Sequence, residues 1–177
     1  GYNLMDLVGK YSYADLTYLL WRGELPPREE SRMMDALLTA CIEHSLNAPS
    51  VDATRFVASS GVPLQAAVSA GISAIGDWHG GAIEQSAKML QEGILSSKEK
   101  QIAVIGIAEQ ILAEHRDRKT KIPGFGHPTH TEDPRTKKLL EIAKQTRIEG
   151  PHASLALALE SLTEKYFRRR LILNVDG

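Results

Sequence analysis

Six histidines are spread along the chain, and three of them stand where predicted helices end. His44 opens the segment HSLNAPS, His79 lies within GDWHGG, and His127 follows the glycines of KIPGFGH. Glycines beside His79 and His127 leave the backbone bare, so a ligand can approach it closely. Because histidine both gives and takes protons near neutral pH, these three residues are candidates for acid–base chemistry. His115 and His152 lie at predicted helix ends and are typical of surface histidines.

A metal site is a second possibility, because His127 and His130 form an H-x-x-H pair close to Glu132 and Asp133. Metal-binding histidines on a helix usually stand four residues apart, and here a loop interrupted by proline leaves the geometry open. The single cysteine, Cys41, offers no supporting cluster, so we predict no metal site. A serine hydrolase is not indicated, because no G-x-S-x-G segment occurs. The PGFG loop also lacks the preceding strand that a dinucleotide-binding loop needs.

The composition is that of a soluble globular protein. Of the 177 residues, 42% are apolar and 24% charged, and the formal net charge of −1 provides no field that attracts nucleic acid. No apolar run approaches the roughly 20 residues of a membrane span, and the N-terminus lacks a signal-peptide pattern. One cysteine excludes an internal disulfide and favours a reducing compartment. We therefore predict a cytoplasmic protein without nucleic-acid or membrane partners.

The hydrophobic period is helical throughout, which predicts an all-α fold of about eight helices. Apolar side chains recur at three- to four-residue spacing, and glycine or proline stop signals separate the segments. The predicted helices are 13–22, 28–44, 62–76, 80–92, 97–117, 133–148 and 152–169. Segment 62–76 is rich in small residues that allow close helix approach, so we expect it to be central and buried. The run LILNV near the end is the only strand-like segment, and one strand has nothing to pair with.

Five segments, taken in order, resemble segments of the citrate synthase family. GDWHGGAIEQSAKML resembles the family's G-x-x-H-G-G-A-x-E segment, IPGFGHPTHTEDPR resembles P-G-[FY]-G-H…DPR, and LNVDG resembles N-V-D. Upstream, GYNLMDLVGKYSYADLTYLLWRGELPP resembles the entry into the helical core, and EHSLNAPS resembles H-x-x-N-A-S. Each match alone is weak, and five in family order, over nearly the whole chain, are specific.

The resemblance implies a homodimeric, all-helical enzyme with a large and a small helical domain and a cleft between them. Residues 1–80 would be part of the large domain. Residues 81–177 would form the small domain, which carries the PGFGH loop and the NVD segment. The family's C-terminal helices, with basic residues for the phosphates of coenzyme A, are not in this sequence. We therefore expect the chain to be part of a larger folded unit.

Roles for five residues follow from the same resemblance. His79 would hydrogen-bond the thioester carbonyl of acetyl-CoA, and Asp176 would take a proton from the methyl carbon. His127 would hydrogen-bond, and could protonate, the carbonyl oxygen of oxaloacetate. His44 and Arg135 would hold the oxo-acid, Arg135 through a charge-assisted pair with a carboxylate.

The resemblance also implies where coenzyme A would bind. The bare backbone of the PGFG loop would line the site, and two lysines just before the loop could reach the phosphates, although both also fit a solvated loop. These residues are Lys119, Lys121, Pro123, Gly124, Phe125 and Gly126. No cofactor would be bound permanently, because the coenzyme A thioester is a substrate.

The implied reaction joins acetyl-CoA and oxaloacetate through an enolate to citryl-CoA and citrate, as in the tricarboxylic acid cycle. Two departures stand out: synthases usually have G-H-R-V-Y where this chain has GHPTH, and HGGANE where it has HGGAIE. Both are similar to the short citryl-CoA lyase-type members, which cleave citryl-CoA to acetyl-CoA and oxaloacetate. A 2-methylcitrate synthase acting on propionyl-CoA and a non-catalytic fragment or assembly module remain alternatives.

Overall fold

The computed structural model describes residues 1–42, 46–77, 79–127 and 131–177. These residues form nine helices and isolated bridges in place of strands, which confirms the all-α prediction. The helices are α1 Leu4–Leu7, α2 Tyr13–Arg22, α3 Arg28–Ala40, α4 Pro49–Ser59, α5 Leu64–Ser73, α6 Gly81–Lys100, α7 Val104–Arg118, α8 Pro134–Thr146 and α9 Pro151–Phe167. Every helix in the described part of the chain is too short or too polar to cross a bilayer.

Helix boundaries differ from the prediction around residues 80–118. The structure has one helix through residue 100, where the sequence suggested a break after residue 92. The chain then turns at Gln101, which has a left-handed backbone with φ of 55°, and α7 begins at Val104. Helix α4 was not predicted, although Pro49 suits the first turn of a helix.

The chain divides into two compact units. The first comprises Gly1–Glu43 and Lys137–Glu149, in which α2 packs against α3 and Arg32 of α3 donates a hydrogen bond of 2.9 Å to Gln145 of α8. The second comprises His44–Thr136 and Gly150–Gly177. The predicted division into family domains at residue 80 stays a prediction.

The core of the second unit lies where α6, α7 and α9 meet. Leu112, Leu155 and Leu159 are fully buried there. A Cβ atom at Gly93 would lie 2.6 Å from Cδ2 of Leu155, so a larger residue there would force this buried side chain to shift. The core also contains Ile122 and Leu173, which anchor the start of the PGFGH loop and the segment before N-V-D.

Helix α5 packs closely on α4, as its small residues predicted. A Cβ atom at Gly71 would lie 2.0 Å from Oγ1 of Thr54 and 2.9 Å from the carbonyl oxygen of Ser50. The prediction that this helix is central and buried is wrong for the chain as it stands. Leu64 is 77% exposed and Ile72 is 63% exposed, because α4 covers only one side of the helix.

Candidate active site

The PGFGH loop is held by the LILNV segment. An antiparallel bridge pairs Phe125 with Leu173, and the Gly126 amide donates a hydrogen bond of 2.7 Å to the carbonyl of Ile172. The expectation that LILNV has nothing to pair with is therefore wrong. Its partner is a glycine-rich loop with no alternating pattern, so periodicity in the sequence could not reveal the pairing.

Asn174 extends this pairing through its side chain. Its backbone amide donates to the carbonyl of Gly124 at 3.0 Å, and its Nδ2 donates to the carbonyl of Gly126 at 2.8 Å. Its Oδ1 accepts a hydrogen bond of 3.0 Å from the amide of Asp176. Asn174 thus fixes both the loop and the residue predicted to be the base. Sequence reasoning did not single it out, although it opens the N-V-D segment that the resemblance identified.

The two loop glycines have left-handed backbones that favour glycine, with φ of +78° at Gly124 and +92° at Gly126. At Gly124 the space is also closed: a Cβ atom would lie 2.5 Å from Cα of Gly177 and 2.9 Å from Oγ of Ser86. At Gly126 the nearest atom, Cδ2 of Leu171, would be 3.9 Å away. Side chains are therefore excluded at the first glycine by contact as well as by conformation.

The loop forms one wall of a cleft of about 700 Å³. Seven of the predicted site residues line this cleft. They are Lys119, Lys121, Pro123, Gly124, Phe125, Gly126 and His127. The structure thus brings the whole set predicted for coenzyme A together with one predicted catalytic histidine.

Two arginines that sequence reasoning missed, Arg116 and Arg169, also line the cleft. Arg116 is held by a 2.8 Å contact between its Nη2 and Oδ1 of Asp117, and its guanidinium lies 5.6 Å from the ring centre of Tyr166. With the two lysines they give four cations against the carboxylate of Asp77. Such an excess of positive charge in a cleft attracts phosphate groups. In the sequence, Arg169 stands in a run of three arginines, a pattern that is most typical of a solvated helix end.

His79 lies just before α6, outside the lining of the cleft. Its backbone pairs with Gly76 through two hydrogen bonds of 2.9 Å each. Its Nε2 lies 2.9 Å from Oγ of Ser50, which belongs to α4. Ser50 of α4 therefore orients the half-buried ring of His79. A histidine that is to donate a hydrogen bond to a substrate needs such a fixed orientation.

Asp176 lines a separate pocket of about 280 Å³ rather than the cleft. The pocket is walled by Ile83, Ala87 and Leu90 of α6 and by His152 of α9. The structure therefore places the predicted base and His127 in different cavities of the same unit. His44 and His130 lie outside the described residues.

Arg135 lies at the start of α8 and contacts the carboxylate of Asp133. Its Nη2 lies 3.1 Å from Oδ2, and its backbone amide donates a hydrogen bond of 2.9 Å to Oδ1. Burial by itself would raise the pKa of Asp133, but the hydrogen bonds from Arg135, its charge and the amide of Val175 together lower that pKa below its ordinary value. The aspartate is therefore ionised at neutral pH.

Within the described ranges, no three His, Cys, Asp or Glu side chains converge as a metal site would require. Glu132 and Asp133 are both described, and Asp133 accepts its hydrogen bonds from Arg135 and Val175. His130, the second histidine of the H-x-x-H pair, lies outside the described residues, so the structure does not test that pair as a metal site.

The family profile described as "Citrate synthase, C-terminal domain" matches residues 26–177. The glyoxysomal citrate synthase of Cucurbita maxima is 33% identical over 181 residues, which cover 98% of this chain and 31% of that protein. The structure of citryl-CoA lyase from Hydrogenobacter thermophilus superposes with a TM-score of 0.90 at 41% identity, covering all of this chain and 66% of that one. The citrate synthase of Thermotoga maritima superposes with a TM-score of 0.71 at 25% identity, covering 97% of this chain and 44% of that one. The chain spans about a third of the length of the curated relatives it matches. It belongs to the citrate synthase family.

Proposed function

We propose that the protein containing this chain forms or cleaves a carbon–carbon bond between the acyl group of a coenzyme A thioester and an oxo-acid. The synthase direction would join acetyl-CoA and oxaloacetate through citryl-CoA to citrate. The observation that carries the proposal is the pairing of the PGFGH loop with the N-V-D segment beside a basic cleft. This pairing joins the loop that would bind the thioester to the segment that bears the base.

The predicted roles suit the chemistry of a thioester. A methyl proton beside a thioester carbonyl is weakly acidic, so a carboxylate removes it only if a fixed donor stabilises the enolate oxygen. In this proposal Asp176 takes the proton and His79, oriented by Ser50, donates to that oxygen. His127 then donates to the ketone oxygen of the oxo-acid, whose carboxylates are held by Arg135 and His44. General acid–base help of this kind contributes about 10²–10⁴-fold per group.

The cleft supports a coenzyme A site. Its cations, Arg116, Lys119, Lys121 and Arg169, suit the phosphates. The backbone at Gly126, where the nearest atom to an added Cβ would be 3.9 Å away, leaves room for the pantetheine chain. His127, at the end of the same loop, lies in the lining of the cleft. The thioester would then reach the histidine along the loop.

Cleavage of citryl-CoA is the second candidate. The chain is 41% identical over its whole length to the Hydrogenobacter thermophilus structure described as a citryl-CoA lyase, against 33% to the Cucurbita maxima citrate synthase. The synthase forms the carbon–carbon bond that the lyase breaks. They differ in whether water cleaves the thioester of citryl-CoA, so residues that handle the enolate suit both.

Incubation of the full-length protein with citryl-CoA separates the two candidates. A synthase is expected to add water and release citrate and free coenzyme A. A lyase is expected to release acetyl-CoA and oxaloacetate without consuming water. Chromatography of the acyl-CoA products, with an enzymatic assay of oxaloacetate, distinguishes them. If citryl-CoA is neither hydrolysed nor cleaved, the proposed function is wrong.

The predicted homodimer is supported by an exposed apolar stripe on α5. Leu64, Val68 and Ile72 follow one another at four-residue spacing, and all three are exposed. The face of α5 next to this stripe packs on α4 through Gly71. A stripe of this kind on the surface of a folded unit is typical of an interface. We propose that a second copy of the chain covers it.

Replacement of Ile72 by glutamate is expected to separate the dimer into monomers. A charge buried at the interface would raise the dissociation constant about 30-fold or more, equivalent to about 2 kcal/mol. Light scattering after size-exclusion chromatography over a range of concentrations measures this. The matched control is Leu95→Glu, which places the same charge at another exposed apolar position, on α6. Equal masses for both variants and the parent protein would show that α5 is not the interface.

A further inference from the structure

The carboxylate of Asp133 is fully buried and joins two segments of the site. Its Oδ1 accepts hydrogen bonds from the backbone amide of Arg135 at 2.9 Å and from Nε of Arg135 at 3.3 Å. Its Oδ2 accepts from Nη2 of Arg135 at 3.1 Å and from the backbone amide of Val175 at 3.1 Å. The side chain of Asp133 is 0% exposed. One carboxylate therefore contacts both Arg135, which is predicted to bind the oxo-acid, and Val175, which precedes Asp176.

We propose that Asp133 is a positioning residue that holds Arg135 and the Val175–Asp176 backbone in one fixed arrangement. The proposal rests on the proposed function, in which Arg135 binds the oxo-acid and Asp176 takes the methyl proton. In this proposal Asp133 aligns Arg135, which binds the oxo-acid, with Asp176, which acts on the thioester. Neither reactant touches Asp133 itself, because its carboxylate is buried beneath the arginine.

The arginine keeps free donors while Asp133 holds it. A guanidinium has five N–H groups, and Asp133 takes one on Nε and one on Nη2 of Arg135, which leaves three. The side chain of Arg135 is 31% exposed, so these remaining donors can meet a carboxylate from solvent. A planar guanidinium fixed along one edge presents its other edge in a defined direction, which favours bidentate binding of a carboxylate.

Helix capping alone does not account for these contacts. Aspartate is a common N-cap, and the cap needs only the hydrogen bond from the amide of Arg135. The hydrogen bonds from the Arg135 guanidinium and from the amide of Val175 are not needed for capping. A carboxylate buried without compensation is costly, so the cation of Arg135 and the amide of Val175 together stabilise its charge. The same contacts make both segments depend on one side chain.

Two substitutions separate positioning from capping. In Asp133→Asn, an amide nitrogen must replace one of two oxygens that each accept two hydrogen bonds, so either orientation of the amide loses two of them. In Asp133→Ser, the hydroxyl remains a good helix cap but is too short to bridge Arg135 and Val175. The serine variant is therefore expected to keep α8 and to lose the bridge.

Kinetics of the full-length protein test the proposal. Both variants are expected to raise the KM for the oxo-acid about 10-fold or more. They are also expected to slow the exchange of acetyl-CoA methyl protons about 10-fold or more, measured with saturating malate in place of the ketone. Arg135→Lys is expected to raise the KM alone. Combining Asp133→Ser with Arg135→Lys is expected to raise the KM no further than Asp133→Ser does. Each change alone already removes the fixed pairing of the Arg135 guanidinium with Asp133.

The matched control is Asp15→Asn. Asp15 also lies in the first turn of a helix, where it accepts a hydrogen bond of 2.9 Å from the amide of Ser12, and it belongs to the other unit. This control is expected to lower the melting temperature and to leave both kinetic quantities within twofold. The same pattern in Asp133→Ser and Asp133→Asn would show that Asp133 is only a cap and would overturn the proposal.

Hydrogen exchange of backbone amides provides a readout that does not require activity. Asp133→Ser is expected to speed exchange at Val175 and to leave the amide of Arg135 protected by the serine cap. Unchanged exchange at Val175 would refute the bridge, whatever the enzyme does. A parent protein that neither processes citryl-CoA nor exchanges methyl protons would instead refute the proposed function, so the two failures are distinguishable.

Discussion

Asp176→Asn is expected to slow the exchange of acyl-CoA methyl protons by about 10²–10⁴-fold. The amide has the size of the carboxylate but cannot accept the proton at neutral pH. The hydrogen bond that places the residue comes from its backbone amide to Oδ1 of Asn174, so it does not depend on the substituted group. We therefore expect the fold and the affinity for the thioester to change little, and the loss to appear in the rate.

Nuclear magnetic resonance of acetyl-CoA in deuterium oxide measures this exchange directly. The matched control is Asp52→Asn, the same chemical change at a half-exposed aspartate on α4 whose Oδ1 lies 3.9 Å from Nη1 of Arg55. The control is expected to exchange at the parent rate. If Asp176→Asn also exchanges at the parent rate, another group is the base, and the carboxylate's location in the smaller pocket would then explain why.

Gly124→Ala is expected to lower activity about 10²-fold or more and to destabilise the PGFGH loop. A left-handed backbone costs a non-glycine residue about 1–2 kcal/mol. The larger effect is steric, because the new Cβ would lie 2.5 Å from Cα and 2.9 Å from the backbone nitrogen of Gly177. Backbone cannot move aside as a flexible side chain can, so the loop and the residue after Asp176 must separate. Misplacement by about 1 Å near reacting groups can cost about 10²-fold in rate.

Two further glycines isolate the steric part of this effect. Gly61 has a similar φ of +75° with no atom within 4 Å of the added Cβ, so Gly61→Ala measures conformational strain alone. Gly126→Ala adds strain within the same loop, where the nearest atom would be 3.9 Å away. The steady-state rate and melting temperature of Gly124→Ala are expected to fall well below those of both controls. Similar values for all three variants would show that the contact with Gly177 does not govern the site.

Local signals in the sequence predicted much of the helical architecture. Helix α2 begins and ends where predicted, because Ser12 and Asp15 form a capping box at its start and Gly23 has the left-handed backbone that ends it. Asp133 marks the start of α8 for a similar reason. Where such signals were missing, at Gln101 between α6 and α7, the boundary was wrong, since a left-handed glutamine has no distinctive pattern.

The sequence suggested which residues belong to the candidate site but not how they are arranged. The motifs identified the loop and its lysines, and the cleft brings these residues together. The contribution of Arg116 and Arg169 depends on how α7 and α9 end beside one another, which periodicity does not encode. The location of Asp176 in a different pocket from His127 likewise follows from tertiary packing. The assigned catalytic roles stay predictions until the substitutions above are measured.

The hydrogen bond from Asn174 to Gly126 joins residues 48 positions apart in the chain. Closing a loop of this length costs entropy that only later contacts repay, and α8 and α9 both lie within it. We therefore expect the paired loop and N-V-D segment to form after α9 has docked on α6 and α7. Under the proposed function a partly folded chain would lack the thioester site, and binding of a thioester would report that folding is complete.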